Sequence, residues 1–261
     1  MIRHNPNLND DKSEKPMHRA CVLIPARYGS SRYPGKPLVP LLGKPMILWV
    51  AELSARAVGQ EHVYVATDDE RIAKVARQAG FSALMTGNDA LTGTDRLAEA
   101  SAMVDYDIYV NVQGDEPLVE PDDIRKCISL KTEHPELIIN GFCWLNDEED
   151  PANVNIPKVI TNEGGVMVYM SRAGLPAYKN PSCAPSAYKK QVCIYGFTQD
   201  ELRAYADFGR KSELESSEDI EILRFLELDR QVMMYECRPG SIAVDVPEDV
   251  QKVEQALRRN I

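Results

Sequence analysis

Short apolar runs alternate with amphipathic stretches through the first half of the chain. Runs rich in β-branched or aromatic residues predict strands: ACVLIPA (20–26), HVYVAT (62–67), SALMT (82–86), DIYVNVQ (107–113) and LIINGFCWL (137–145). Stretches between them predict helices: MILWVAELSARAV, DERIAKVARQA, GTDRLAEASAM and PDDIRKCISL, the last with Pro121 suited to a first helical turn. This alternation predicts an α/β fold with a mostly parallel sheet and helices on both faces. Such sheets bind ligands at the carboxyl ends of their strands.

The second half of the chain has a less regular order. KVITNEGGVMVYMSR, QVCIYGFT and VMMYEC predict further strands, and EDIEILRFLEL predicts a further helix. The stretch from Pro176 to Pro185 contains Pro, Asn and Ser and predicts an exposed excursion, suited to a lid or a subunit contact. We expect a flexible polar arm over 1–18 and a single domain over 19–261, with a small excursion around 165–200.

Composition and charge narrow the class of protein. The chain has 261 residues, 44% of them hydrophobic, which is enough to bury one sizeable core. Its formal net charge of -10 argues against broad nucleic-acid or membrane-surface binding. The scattered cysteines form no CxxC pair, so we expect reduced thiols in a cytoplasmic protein. No stretch approaches about 18 apolar residues, and we expect neither membrane insertion nor secretion.

One segment, IPARYGSSRYPGKPLVPLLGKPM (24–46), is basic within this acidic chain. It holds Arg27, Arg32 and Lys36 and contains no carboxylate. It also leaves the first predicted strand at the edge where such folds bind ligands. The guanidinium groups of the two arginines and the ammonium group of the lysine can converge there on one polyphosphate. The alternative interpretation is a surface loop whose charges are simply solvated. The patterns GxxxxGK[ST] and GxGxxG are both absent, so this is neither a Walker loop nor a dinucleotide-binding loop.

Carboxylates follow two other apolar runs. Asp115 comes directly after YVNVQG, and Asp245 comes directly after SIAV. A carboxylate at the end of a strand can hold Mg²⁺, a hard cation that takes oxygen ligands and bridges phosphates. The alternative for each residue is an Asp that only shapes a turn.

Further acidic residues lie at predicted helix starts. TGTDRLAEA places Thr92 and Asp95 at a helix N-terminus, whose N–H groups suit an anion or a capping oxygen. Asp95 can therefore cap, pair with a neighbour or contribute to a site. ATDD places Asp68 and Asp69 after the second strand, and we expect at least one of them to cap the next helix.

The motif ESSEDIE spaces three carboxylates along one predicted helix face. Glu215, Glu218 and Glu221 follow each other at intervals of three residues. A charged helix face is usually solvated, so by itself this pattern does not indicate a site.

Together these motifs resemble a known family. IPARYGSSRYPGKPL is similar to the signature of the sugar-acid cytidylyltransferases, in particular the 3-deoxy-manno-octulosonate (Kdo) cytidylyltransferase family. The similarity continues in the family's order through GKPMILWV, VYVATDDERIAKVARQAGF, TGTDRLAEA, YVNVQGDEPLVEP, IPKVITNEGG, CIYGF, LESSEDIEILRFLE and VDVPEDV. It covers nearly the whole chain from Cys21 onward. The resemblance implies a Rossmann-like nucleotidyltransferase fold with a smaller mixed lobe.

The resemblance also implies an activity. Members of the family transfer CMP from CTP to the anomeric hydroxyl of a 2-keto-3-deoxy sugar acid and release pyrophosphate, in lipopolysaccharide or capsule synthesis. It implies Mg²⁺ as cofactor, a homodimer, and a sugar-binding and dimerisation role for the excursion around 165–200. The alternatives are a cytidylyltransferase for another acidic sugar, a sugar-1-phosphate nucleotidyltransferase and a non-catalytic nucleotide-binding homologue. The last would be expected to have lost Lys36, Asp115 or Asp245, and none is lost.

Residue by residue, the resemblance implies four sets of roles. The catalytic residues are Arg27, Arg32, Lys36 and Asp115. The nucleotide-binding residues are Pro25, Ala26, Arg27, Ser30, Lys36, Thr86 and Gln113. The sugar-binding residues are Thr92, Arg96, Gln113, Gln191, Tyr195, Glu215 and Glu218. The Mg²⁺ ligands are Asp115 and Asp245.

Two places depart from the family's pattern. The turn that usually reads His-x-Ser-Gly-Thr begins here with Ala90 and Leu91 and continues with Thr92, and Gln191 stands where the family commonly has His. In the family both places contact the sugar acid, whereas the nucleotide-phosphate motifs of this chain are intact. We therefore expect a retained CTP reaction with a modified acceptor, such as 8-amino-3,8-dideoxy-manno-octulosonate (8-amino-Kdo).

Overall fold

The computed structural model describes residues 19–29, 33–240, 242–244 and 246–260. The predicted arm over 1–18 lies outside the described residues, as do the candidate site residues Ser30, Arg32 and Asp245. Among the described residues, no helix combines the length and the apolar character needed to cross a membrane.

The strands and helices follow the predicted alternation. The strands are β1 Ala20–Ala26, β2 Pro40–Leu41, β3 Lys44–Pro45, β4 Val63–Thr67, β5 Ser82–Met85, β6 Ile108–Val112, β7 Ile138–Trp144, β8 Lys158–Thr161, β9 Met167–Ser171, β10 Lys189–Phe197 and β11 Val232–Glu236. The helices are α1 Met46–Val58, α2 Glu70–Gln78, α3 Gly93–Ser101, α4 Pro121–Glu133, α5 Gln199–Asp207, α6 Glu213–Glu218, α7 Leu223–Glu227 and α8 Asp249–Asn260. The predicted strands and helices of the first half are confirmed to within a few residues.

The main sheet has the strand order β11-β7-β10-β6-β1-β4-β5. Strand β1 pairs in parallel with β4 and β6, and β4 pairs in parallel with β5. Strand β10 runs antiparallel between β6 and β7, and it also pairs with β8 of the β8–β9 hairpin. The carboxyl ends of β1, β4, β5 and β6 therefore meet at one edge of the sheet. The amino end of β10 lies at the same edge, which we call the carboxyl edge.

Apolar side chains cover both faces of this sheet. Val22 and Ile24 of β1 point to one face, where they belong to the same buried cluster as residues of α1, α2 and α4. Cys21 and Leu23 point to the other face, which is covered by α3, α5, α7 and the β8–β9 hairpin. The alternation of the two sets along one strand shows the period of two expected for a sheet buried on both faces.

Two predictions for the second half need correction. The single helix expected over EDIEILRFLEL is wrong: α6 ends at Glu218, and Asp219 has a φ of 52°, a left-handed conformation that ends the helix. A new short helix, α7, then begins at Leu223. The excursion expected around 165–200 is shorter than predicted, because β10 from Lys189 onward is a central strand of the main sheet.

Candidate functional site

The basic segment crosses the carboxyl edge of the sheet. Strand β1 ends at Ala26, and Arg27 follows it with an exposed side chain. Lys36 opens a short 3-10 helix, and its Nζ lies 2.6 Å from Oδ2 of Asp115, just past the end of β6. The structure therefore brings two predicted catalytic residues into contact from segments 79 positions apart.

The turn after β6 packs closely against β1. A Cβ atom at Gly114 would lie 2.9 Å from the carbonyl oxygen of Pro25, so only glycine fits between Gln113 and Asp115 without moving the backbone. The backbone N–H of Val244 donates to the carbonyl oxygen of Asp115 at 3.0 Å. The described residue just before Asp245 is thus held beside Asp115, whereas the position of Asp245 itself lies outside the described residues.

The start of helix α3 forms a second part of the carboxyl edge. Thr92 caps the helix, and its side chain accepts a hydrogen bond from the backbone N–H of Asp95. The carboxylate of Glu221 accepts from the N–H of Gly93 at 3.0 Å and from the N–H and hydroxyl of Thr94 at 2.8 and 2.6 Å. The N–H groups expected to suit an anion are therefore occupied by a carboxylate of the chain itself.

Gln113 lies close to this helix start. A Cβ atom at Gly93 would be 3.2 Å from Nε2 of Gln113 and 3.4 Å from Oε1 of Glu221. The Gln113 amide and the Glu221 carboxylate therefore both pack against the same small residue. The sequence pattern predicts a solvated helix face for Glu221, and the break between α6 and α7 is what turns it toward α3.

We predict that Glu221 gives protein stability a measurable pH dependence. Burial raises the pKa of Glu221 above its ordinary value of 4.5, and outweighs the hydrogen bonds from Thr94 and Gly93 that lower it. The folded chain therefore keeps a proton there to higher pH than the unfolded chain. This contribution to stability is fully present below about pH 4.5 and is lost as pH rises through the raised pKa.

Denaturant unfolding of the wild type and of Glu221→Gln at a series of pH values measures this effect. The free energy of unfolding of the wild type, relative to the variant, should fall as pH rises above about 4.5. Glu227→Gln changes an exposed carboxylate nearby and serves as the matched control. A wild-type-to-variant difference that stays constant with pH would contradict the prediction.

Gln191 and Tyr195, two predicted sugar-binding residues, are in direct contact. Nε2 of Gln191 donates to the Tyr195 hydroxyl at 3.0 Å and to Oδ1 of Asn140 at 3.3 Å. The side-chain amide of Asn140 in turn donates to the carbonyl oxygens of Val192 and Ile194, which fixes the irregular stretch of β10. Burial raises the pKa of Tyr195 well above its ordinary value, so this phenol stays neutral and can donate or accept a hydrogen bond.

Two buried asparagines escaped the sequence interpretation. Asn111 and Asn140 lie within the apolar strands β6 and β7 and have no exposed surface. Tyr195 is paired in register with both of them, and among the described residues neither polar side-chain atom of Asn111 has a hydrogen-bond partner. The sequence signal that could have identified them is an amide side chain in the middle of an apolar run. A buried amide costs free energy unless it is paired, so such a residue has a specific role.

Arg96 and Thr86 form an internal brace. The Arg96 side chain is only 4% exposed; its guanidinium donates to the Thr86 hydroxyl, to the carbonyl oxygen of Gly87 and to Oδ2 of Asp68, the last at 2.9 Å. All of these partners belong to the chain, and the sugar contact of Arg96 stays a prediction. Asp69 caps helix α2, which confirms that one of the two consecutive aspartates has this role.

Glu215 and Glu218 also have partners within the protein. Glu215 is 1% exposed and pairs with the guanidinium of Arg224 at 2.6 and 2.8 Å. Glu218 accepts from the Ser171 hydroxyl at 2.6 Å and the Arg172 N–H at 2.9 Å. Burial works to raise the pKa of Glu218, but these hydrogen bonds prevail and lower it. Both residues thus brace the protein, and Glu215 is too deeply buried to meet a sugar.

The chemistry of the donors at the carboxyl edge fits a magnesium ion. Asp115 supplies a carboxylate beside the basic segment, and Mg²⁺ is usually bound by one or two carboxylates together with the phosphates of the substrate. Within the described ranges, no group of three or more His, Cys, Asp or Glu forms a complete metal cage. The Asp115 carboxylate fits a cation that takes its other oxygen ligands from a bound phosphate.

Comparison with known proteins gives consistent matches. A family model described as cytidylyltransferase matches residues 21–235. The chain is 36% identical to the 3-deoxy-manno-octulosonate cytidylyltransferase of Escherichia coli, over 94% of this chain and 98% of that protein. It is 40% identical to the 8-amino-3,8-dideoxy-manno-octulosonate cytidylyltransferase of Shewanella baltica (strain OS195), over 90% of this chain and 97% of that protein.

A solved structure shares the fold over nearly the full chain. It is that of CMP:2-keto-3-deoxy-manno-octonic acid synthetase complexed with CTP, with a TM-score of 0.85 and 36% sequence identity. The match covers 93% of this chain and all of that one. The expected Rossmann-like nucleotidyltransferase fold is thereby confirmed.

Proposed function

This chain belongs to the cytidylyltransferase family, and from that membership we propose that it transfers CMP from CTP to the anomeric hydroxyl of a 3-deoxy-ulosonic acid, releasing pyrophosphate. The acceptor is Kdo or its 8-amino analogue. The observation that carries the proposal is the pairing of Lys36 with Asp115 at the carboxyl edge, within the same segments that match the family. A homologue that had become non-catalytic would not be expected to keep both residues.

The residues of the chain have distinct tasks in this reaction. Arg27 and Lys36 bind and orient the phosphates of CTP. Arg32 and Ser30, which lie outside the described residues, are assigned to the phosphates by the resemblance alone. The close contact between Gly114 and Pro25 holds Asp115 against the end of β1. Positioning and charge neutralisation supply most of the rate enhancement in nucleotidyl transfer of this kind, and no covalent intermediate is needed.

We assign Mg²⁺ to Asp115 and Asp245. Bound there, it would neutralise phosphate charge as CMP is transferred. Support comes from the carboxylate chemistry of Asp115 and from the N–H of Val244, which brings the chain before Asp245 next to it. Lys36 holds the Asp115 carboxylate at the carboxyl edge through its contact of 2.6 Å.

The sugar acid is assigned to the part of the edge between α3 and β10. Support comes from Thr92 and Gln113 at the start of α3 and from the contact between Gln191 and Tyr195 on β10. The N–H of Gln113 donates to the carbonyl oxygen of Cys193 and so connects the two groups. A modified acceptor is favoured by two observations. Ala90 and Gln191 depart from the family's usual residues, and the Shewanella relative that acts on the 8-amino sugar is 40% identical.

Pyrophosphate release tests the reaction and its acceptor. The purified protein is incubated with CTP and Mg²⁺ and with Kdo, 8-amino-Kdo or N-acetylneuraminate, and ATP, GTP and UTP replace CTP as controls. We expect turnover that requires CTP and one of the two octulosonates. Far higher kcat/KM with Kdo than with the 8-amino sugar would reject the modified acceptor, and no turnover with any acid would reject the proposed function. A parallel incubation with a sugar 1-phosphate in place of the acid tests the alternative, and formation of a nucleoside diphosphate sugar there would indicate a sugar-1-phosphate nucleotidyltransferase.

We further propose a cytoplasmic homodimer that supplies an activated sugar for lipopolysaccharide or capsule synthesis. Exposed large apolar side chains on and near the β8–β9 hairpin support self-association: Trp144, Val154, Val168 and Tyr178. Light scattering coupled to gel filtration should return twice the 29.2 kDa of one chain, and a monomer at assay concentration would reject the dimer.

A further inference from the structure

The ring of Tyr28 joins the basic segment to helix α2. Tyr28 follows Arg27 in that segment, and the guanidinium carbon of Arg71, on α2, lies 3.3 Å from the centre of the ring. This is a close cation–π contact. Because Arg71 lies beyond β4, the contact links the segment after β1 to the end of the neighbouring strand.

Asp69 holds the Arg71 guanidinium in place. Its two carboxylate oxygens accept from Nε and Nη2 of Arg71 at 2.9 and 2.6 Å, a two-point hydrogen bond that fixes the plane of the guanidinium. Asp69 is itself fixed, since it accepts from the Arg71 N–H as the cap of α2 and donates its own N–H to the Thr67 hydroxyl. The Arg71 side chain is thus locked to the start of α2 although 59% of it is exposed.

Tyr28 is also tied to the far end of the segment. The N–H of Gly35 donates to the Tyr28 carbonyl oxygen at 2.9 Å. Gly35 has a φ of 71°, and a Cβ atom there would lie 3.1 Å from the Tyr28 ring. Gly35 therefore suits both the left-handed turn and the close packing of the ring. Arg27 and Lys36 are the immediate chain neighbours of Tyr28 and Gly35. The hydrogen bond and the ring packing therefore fix the backbone that carries both cationic side chains.

We propose that Tyr28, Arg71 and Asp69 form a clasp that positions Arg27 and Lys36 for a nucleoside triphosphate. The proposal rests on the proposed function in one respect, the assignment of the basic segment to the phosphates. The clasp acts before binding. It holds together the described parts of the basic segment, 24–29 and 33–46, so that the segment loses less conformational freedom when a triphosphate binds. Arg71 itself adds little attraction, because its charge is already paired with Asp69.

Binding measurements on the full chain test the clasp. The variants are Tyr28→Ala, Arg71→Ala, the double variant, and Tyr28→Phe, which keeps the ring. Arg77→Ala is the matched control, because Arg77 lies on the same helix and pairs with Glu70 at 2.8 Å. Calorimetry gives the Kd for CTP and for inorganic tripolyphosphate, each with Mg²⁺, and steady-state kinetics separate KM from kcat.

We expect Tyr28→Ala and Arg71→Ala each to raise the Kd for both ligands by about fivefold, in line with one lost cation–π contact and a loosened segment. Tyr28→Phe and Arg77→Ala should stay within about twofold of the wild type, because the ring stack is kept in both. The double variant should bind no more weakly than either single variant, because the two residues act as a unit. In the kinetics, KM for CTP should rise more than kcat falls.

Three outcomes would overturn the clasp. Weak binding by Arg71→Ala with normal binding by Tyr28→Ala would make Arg71 a direct phosphate ligand. Additive losses in the double variant would show that the residues act independently. Weak binding by Tyr28→Phe, which keeps the ring, would show that the ring is not what positions the segment. Thermal unfolding verifies that each variant is folded. A single variant that does not fold is replaced by Arg71→Lys, which keeps the positive charge but lacks the planar guanidinium. Because tripolyphosphate needs no acceptor, absence of sugar transfer by the wild type rejects the proposed function without deciding this test.

Discussion

Replacement of Asp115 by Asn is expected to lower the rate of CMP transfer by about a thousandfold or more. The carboxylate lies at the carboxyl edge beside the end of β1, where Gly114 packs against Pro25 with no space for a Cβ atom. Asparagine has the same shape but no charge, so it can neither pair fully with Lys36 nor hold a cation with the same strength. The change should therefore remove chemistry while it leaves the packing of the turn intact.

The measurement is kcat for pyrophosphate release at saturating CTP and Mg²⁺, together with the thermal unfolding midpoint. Asp122→Asn is the matched control, because Asp122 lies in the first turn of α4 and pairs with Arg125 and Arg238 at the surface. That control should keep its rate. Residual activity of Asp115→Asn above about a tenth of the wild type would contradict a central role for this carboxylate.

The regular part of the fold could be predicted because its signals are local. Strand β1 and helix α1 have the predicted bounds, since an apolar run and a 3.6-residue period are both visible in a short window. Lys36 and Asp115 could be assigned to one site because both lie beyond strand ends that a parallel sheet brings to one edge. Their 2.6 Å contact is the geometric result of that rule.

The remainder depended on contacts between distant segments. Glu215 and Glu221 look alike in ESSEDIE, yet one is buried against Arg224 and the other caps the start of α3. Which carboxylate goes where is decided by Asp219, whose left-handed conformation ends α6, and its sequence neighbours give no clear sign of this. The internal role of Arg96 was not visible in the sequence for the same reason, because its partner Asp68 is 28 positions away.

Loss of Arg224 is expected to destabilise the folded protein strongly. Its guanidinium has no exposed surface, pairs with Glu215 at 2.6 Å and with Asp95 at 2.8 Å, and lies 3.7 Å above the ring of Tyr205. Desolvation lowers its pKa, but the hydrogen bonds that it donates to Glu215 and Asp95 prevail and raise it. Arg224→Met would leave two carboxylates without their cation, one of them almost fully buried. Removing one partner of a buried ion pair costs about 3–5 kcal/mol.

Urea unfolding at neutral pH should show this loss for Arg224→Met. Arg203→Met is the matched control, since Arg203 pairs with Asp200 on the exposed side of α5 and should change stability little. The double variant Arg224→Met/Glu215→Gln should recover part of the loss, because it removes one of the unpaired charges. A loss below about 1 kcal/mol would mean that water reaches the carboxylates and that the network is not a buried one.

Because Asp95 also accepts from the Thr92 hydroxyl at 2.7 Å, Arg224→Met should in addition raise KM for the sugar acid, through movement of the α3 start that carries Thr92.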